Sequence, residues 1–137
     1  MSDWTGRAAP SLDEMMDLAR RALDRLPQPF RRLAADVVLH VQDFADEETL
    51  DSMGIEDAFE LTGLYLGLEL NQRSVSDPLP PTPRVFLYRR PILDEWAERG
   101  DLSLDELVEH VLVHEIGHHF GLSDDDIDSI EAAPDQD

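Results

Sequence analysis

The segment from Ser103 to Asp124 constrains this chain more than any other. Ser103 and Glu106 form an S-x-x-E capping box, in which each side chain can satisfy the other residue's orphan backbone N–H at a helix start. Leu104, Leu107, Val108, Val111 and Leu112 then recur at helical spacing. The pattern predicts a long helix with one apolar stripe packed on the protein body. The same stripe runs on into His114, Glu115 and His118, and four of the five histidines (His110, His114, His118 and His119) fall within ten residues of one another.

His114, Glu115 and His118 spell H-E-x-x-H. At about 100° per residue, His114 and His118 lie about 40° apart and one turn along the axis, so both imidazoles can reach one metal ion. Zn²⁺ accepts neutral imidazole nitrogen at roughly 2.0 to 2.1 Å. Glu115 is angularly close to both histidines but one residue off the ligand line, which suits a general base acting on water at the metal. A catalytic zinc site takes a third protein ligand and keeps one position open. Gly121 lies three residues after His118 and Asp124 three after that. A glycine with positive φ can end the helix and turn the chain back, which makes Asp124 the third ligand expected from spacing. Asp125 and Asp126 are weaker candidates, because the turn should aim one of three neighbouring carboxylates inward. His119 projects beside Val108 and Leu112 and is expected to be packed and hydrogen-bonded rather than a ligand. His110 falls on the polar side of the helix and His40 on one face of a strand, and neither is assigned a function.

Composition narrows the chemistry further. The 137 residues suit one domain, and 31 acids against 11 basic residues give a formal net charge of −20. Such a surface repels phosphates, so nucleic acid is not an expected partner. There is no Cys, which excludes disulfides and thiolate metal sites, and every basic residue is Arg, which excludes a P-loop or Schiff-base lysine. Any metal must therefore sit on His and carboxylate. No apolar run approaches the roughly 20 residues of a membrane helix. The opening MSDWTGRAAP lacks the apolar stretch of a secretory signal, so a cytoplasmic location is expected.

Elsewhere, Ser11 and Glu14 form a second capping box, and Leu12, Met15, Met16, Leu18, Ala19, Ala22, Leu23 and Leu26 predict an amphipathic helix up to Pro27. One or two helical turns are expected within 30–35, a strand within 36–44, and a short helix over 47–53 stopped by Gly54. Residues 61–70 read as a second strand, whose Gly63 and Gly67 mark a bulge or a close backbone approach. Four prolines make 71–83 an irregular loop. Residues 84–90 read as a third strand, and Pro91 begins a helix through Glu98, stopped at Gly100. A single domain over 1–137 is expected, with 1–10 and 131–137 as flexible ends.

The run from His114 to Asp124, H-E-x-x-H-x-x-G-x-x-D, resembles the zincin metallopeptidases. With YRRPILDEWAE and LVEHVLVHEIGHHFGLSDDD around it, the chain from about Ser11 to Ile130 is similar to the minimal zincin family of small bacterial zinc metallopeptidases. The resemblance implies an α+β fold in which a small, mainly antiparallel sheet of about three strands packs against helices, with the metal motif on the long C-terminal helix. It implies a zinc-dependent hydrolase acting on a peptide or protein substrate, with Zn²⁺ on His114, His118 and Asp124 and with Glu115 as the base. Fe²⁺, Mn²⁺ or Co²⁺ would also suit such ligands. The chain departs from the metzincins in having Asp rather than His as third ligand and no methionine turn. In zincins an edge strand pairs with extended substrate, which makes Tyr88, Arg89 and Arg90, at the end of the third strand, candidate substrate contacts. Tyr65, between Gly63 and Gly67, is a fourth. The alternative is that the arginines pair with carboxylates and that Tyr88 is core. Two other readings of the whole chain are a metal-stabilised binding module without turnover and an acidic protein that binds basic partners.

Overall fold

Both capping boxes form. The Ser11 hydroxyl accepts from the Glu14 N–H at 3.1 Å and Glu14 Oε1 accepts from the Ser11 N–H at 3.0 Å, which starts helix α1 (Leu12–Asp24). Ser103 and Glu106 make the same two bonds, each 3.1 Å, at the start of the longest helix. The structure, a computed structural model, describes residues 9–28, 30–67 and 82–121. Between the two capped helices come α2 (Phe30–Leu33), β1 (Val38–Gln42), α3 (Glu47–Met53), a single 3₁₀ turn (Ala58–Glu60), β2 (Gly63–Leu66), β3 (Arg84–Tyr88) and α4 (Arg89–Arg99). The last among the described residues is α5 (Leu104–His119). Residues 71–81 of the loop expected over 71–83, residues 1–8 of the flexible end expected over 1–10, and all of that expected over 131–137 lie outside the described residues.

Two strands differ from expectation in their bounds. The second covers Gly63–Leu66 rather than 61–70, of which 68–70 lie outside the described residues. The third strand ends at Tyr88, and Arg89 and Arg90 belong to α4. Pro91 sits in the first turn of that helix, where backbone N–H groups have no intrahelical partner, so the helix can begin two residues before it without losing a bond.

Among the described residues the sheet has three strands in the order β1-β3-β2. It is mixed rather than mainly antiparallel. β1 runs parallel to β3, from Val38 opposite Arg84 to Gln42 opposite Tyr88, whereas β2 runs antiparallel to β3, from Gly63 opposite Leu87 to Leu66 opposite Arg84. The reason is topological: β1 and β2 run in opposite directions, so β3, which enters between them, meets one of them in each sense.

Alternation along β3 separates two apolar layers. Val85 and Leu87 point into the main core with Leu39 of β1, Met15, Leu18, Ala19 and Ala22 of α1, and Leu107, Val108, Val111, Leu112 and Ile116 of α5. Phe86 and Tyr88 point the other way, into a smaller cluster with Ala45, Leu50 and Leu61. Helices α1 and α5 therefore cover one face of the sheet. Among the described residues, no helix is long and apolar enough to cross a membrane.

Candidate metal centre

Helix α5 buries Leu104, Leu107, Val108, Val111, Leu112, Ile116, Gly117 and His119. His114, Glu115 and His118 are half-buried, along the border of that stripe rather than at its centre. This position suits ligands that must meet both protein and solvent. His114 Nε2 is shielded from solvent, and the His110 ring packs on the His114 ring with centroids 4.4 Å apart. That contact, between residues four apart on one helix, was open to sequence reasoning but had no assigned role.

Glu115 is placed by the sheet. A Cβ built on Gly63 would lie 3.1 Å from Glu115 Cγ, 2.8 Å from Val111 Cγ1 and 3.3 Å from the Phe86 carbonyl oxygen. The absence of a side chain at Gly63 is thus what lets β2 lie directly against the middle of α5. This is the close backbone approach expected for that glycine.

After His119 the helix closes through Phe120, whose N–H donates to the Gly117 carbonyl at 3.1 Å, and the Gly121 N–H donates to the His118 carbonyl at 3.0 Å. Gly121 has φ 75°, the left-handed conformation that ends a helix and redirects the chain. The turn therefore occurs at the residue from which the third ligand was projected. Asp124, Asp125 and Asp126 lie outside the described residues. Among the described residues no group of three or more His, Asp or Glu side chains gathers for a metal. The contribution of α5 is two imidazoles one turn apart and a carboxylate beside them, a donor set that fits Zn²⁺ with one further ligand.

The proposed substrate contacts fare differently. β3 is the central strand, paired on both sides, so the edge-strand argument for Tyr88, Arg89 and Arg90 does not hold. Tyr88 is 2% exposed and belongs to the smaller core cluster. Arg89 Nε donates to the Pro10 carbonyl at 2.6 Å and its Nη1 pairs with Asp43 at 3.0 Å, which fastens the start of α4 to the start of α1. Arg90 is exposed, with its guanidinium 5.8 Å from the centre of the Phe44 ring. Tyr65 lies on β2, and its hydroxyl is hydrogen-bonded to His119 Nδ1 at 2.8 Å. His119 is packed and bonded as expected; sequence reasoning missed its partner, which is 54 residues away.

Burial pushes the Tyr88 phenol up to about 12, helped by the negative charges of Asp46 and then Glu115. In the unfolded chain the phenol ionises near 10.0, so above that pH the unfolded state releases a proton that the folded state keeps. Stability from this group is complete below pH 10 and is lost as pH rises towards about 12. Urea unfolding across that window should show wild type losing on the order of 1 kcal/mol more than Tyr88→Phe. Equal slopes for the two proteins would show that Tyr88 ionises as freely in the fold as outside it.

The sequence pattern of the zincin-like metallopeptidase family matches residues 34–133, more than half of the chain and all of β1 to α5. No curated protein matches it in sequence. With the match running through the H-E-x-x-H helix and the sheet that supports it, the chain belongs to the zincin-like metallopeptidase family.

Proposed function

We propose that this protein is a zinc-dependent metallopeptidase in which His114, His118 and Asp124 hold the metal and Glu115 is the general base. The observation that carries the reading is the placement of His114 and His118 one turn apart on the half-buried border of α5, with Glu115 held between that border and β2. Zinc bound there supplies Lewis acidity, which polarises a carbonyl and brings the ionisation of water towards neutral pH. Glu115 accepts the proton of the attacking water and delivers it to the leaving amine. The buried Tyr88 phenol, neutral at working pH, adds no competing negative charge near that carboxylate.

Substrate is proposed to lie along β2 rather than β3. Among the described residues β2 pairs on one side only, with β3, and its Gly63 backbone borders Glu115. An extended peptide added to the other side would gain main-chain hydrogen bonds and bring a scissile carbonyl near the base.

The test is metal analysis coupled to a peptide-library cleavage assay. Purified protein should carry or take up about one equivalent of Zn²⁺, lose hydrolysis on chelation and regain it when zinc is restored. Less than about a tenth of an equivalent, not recoverable by adding metal, would sink the reading.

A further inference from the structure

The bond between Tyr65 and His119 joins the outer strand β2 to the last turn of α5, on the side of the helix that carries Glu115. It is 2.8 Å long, and the two rings meet edge to face with centroids 5.5 Å apart. His119 is 0% exposed, and its Nε2 lies 3.9 Å from Asp36 Oδ1, just ahead of β1. The imidazole thus lies between β2, to which it is hydrogen-bonded, and the residues that lead into β1. Room for the phenol comes from Gly67, where a Cβ would lie 2.7 Å from the Tyr65 hydroxyl oxygen and 3.1 Å from its Cζ.

The spacing shows what the bond does. Gly63, two strand residues before Tyr65, lies against Glu115, which is four helix residues before His119. Two strand residues advance about 6.6 Å and four helical residues about 6.0 Å, so strand and helix stay in step over this stretch. Apolar packing of Val111, Leu112 and Ile116 already holds α5 on the sheet; what the Tyr65–His119 contact adds at the last turn is direction, because it is a hydrogen bond. An apolar pair of similar volume could stabilise as well without selecting one geometry.

Resting on the metallopeptidase reading above, we infer that Tyr65 and His119 are positioning residues for the metal site. Their bond clamps the last turn of α5 and so holds the His118 imidazole, about 100° round the helix from His119, together with the Gly121 turn that leads to Asp124. Neither residue is a ligand. The clamp acts through the helix backbone, so its loss loosens the site without removing a donor.

The experiment measures zinc affinity by chelator competition for wild type, Tyr65→Phe, His119→Gln and the double variant. The absorption spectrum of each Co²⁺-loaded protein and the far-ultraviolet circular dichroism of each apo-protein complete it. Tyr65→Phe, which removes one oxygen, should weaken zinc about tenfold and alter the Co²⁺ bands while the apo spectrum stays as in wild type. His119→Gln should do the same, and the double variant should be no weaker than the weaker single one, because both remove one bond. Wild-type zinc affinity and Co²⁺ bands in Tyr65→Phe overturn the clamp alone, as do losses that multiply in the double variant. A wild-type protein that takes no zinc overturns the clamp and the metallopeptidase reading together.

Discussion

Replacing Glu115 with Gln is expected to lower peptide hydrolysis by about 10³-fold while zinc stoichiometry stays at wild-type level and affinity within about threefold. Glutamine keeps the length and shape of the side chain, so the contact of its Cγ with the Gly63 backbone survives. What it loses is the capacity to accept a proton. Since Glu115 lies off the line of His114 and His118, the two imidazoles are untouched and the effect should fall on kcat rather than on metal binding. A second readout needs no metal. Glu115 is one of the charges that raise the Tyr88 phenol, so Glu115→Gln should let Tyr88 ionise at a lower pH, a change visible as tyrosinate absorbance. Burial and Asp46, the larger causes, remain, so the phenol should still ionise above its ordinary value. Hydrolysis within about tenfold of wild type would remove Glu115 from the role of base. Loss of zinc from the variant would instead make it part of the metal site.

What could be read in the sequence divides by distance along the chain. Ser11 with Glu14 and Ser103 with Glu106 announce helix starts because the whole interaction lies within four residues. His114, Glu115 and His118 are legible for the same reason, since helical geometry alone decides their relation. Strands are harder. The alternation of Val85 and Leu87 with Phe86 and Tyr88 reveals two faces but not neighbours, so nothing in it placed β3 between β1 and β2. With β3 central, the substrate edge proposed at Tyr88 to Arg90 moved to β2. The arginines illustrate the same limit: Arg89 is held by Pro10, 79 residues away, and by Asp43, 46 away, and a run of basic residues carries no sign of either partner.

Gly63 joins the two kinds of information, since its type is visible in the sequence and its reason only in the fold. Gly63→Ala is expected to destabilise the protein by about 1–2 kcal/mol and to lower activity by about 10²-fold. The backbone there does not have positive φ, so alanine is conformationally acceptable and should even gain about 0.4–1 kcal/mol from a stiffer unfolded chain. Overpacking outweighs that gain. The new carbon would meet Val111 Cγ1 at 2.8 Å, inside any ordinary contact, and the Phe86 carbonyl at 3.3 Å, which cannot retreat without disturbing β3. Val111 is itself in the core and has little room to turn. The movable neighbour is Glu115, 3.1 Å away at Cγ, so relief comes from displacing that proposed base or from lifting β2 off the helix. Either change separates the base from the strand proposed to hold substrate, and a misplacement of about 1 Å is enough for such a loss of rate. Val111→Ala in the same chain removes the closest clash. The double variant should therefore recover activity at least about tenfold over Gly63→Ala and be more stable than the sum of the single changes by about 1 kcal/mol. Urea unfolding and kcat on the four proteins of this cycle measure both. Additive stabilities together with near wild-type activity in Gly63→Ala would mean that the close approach of β2 to α5 does not set the position of Glu115.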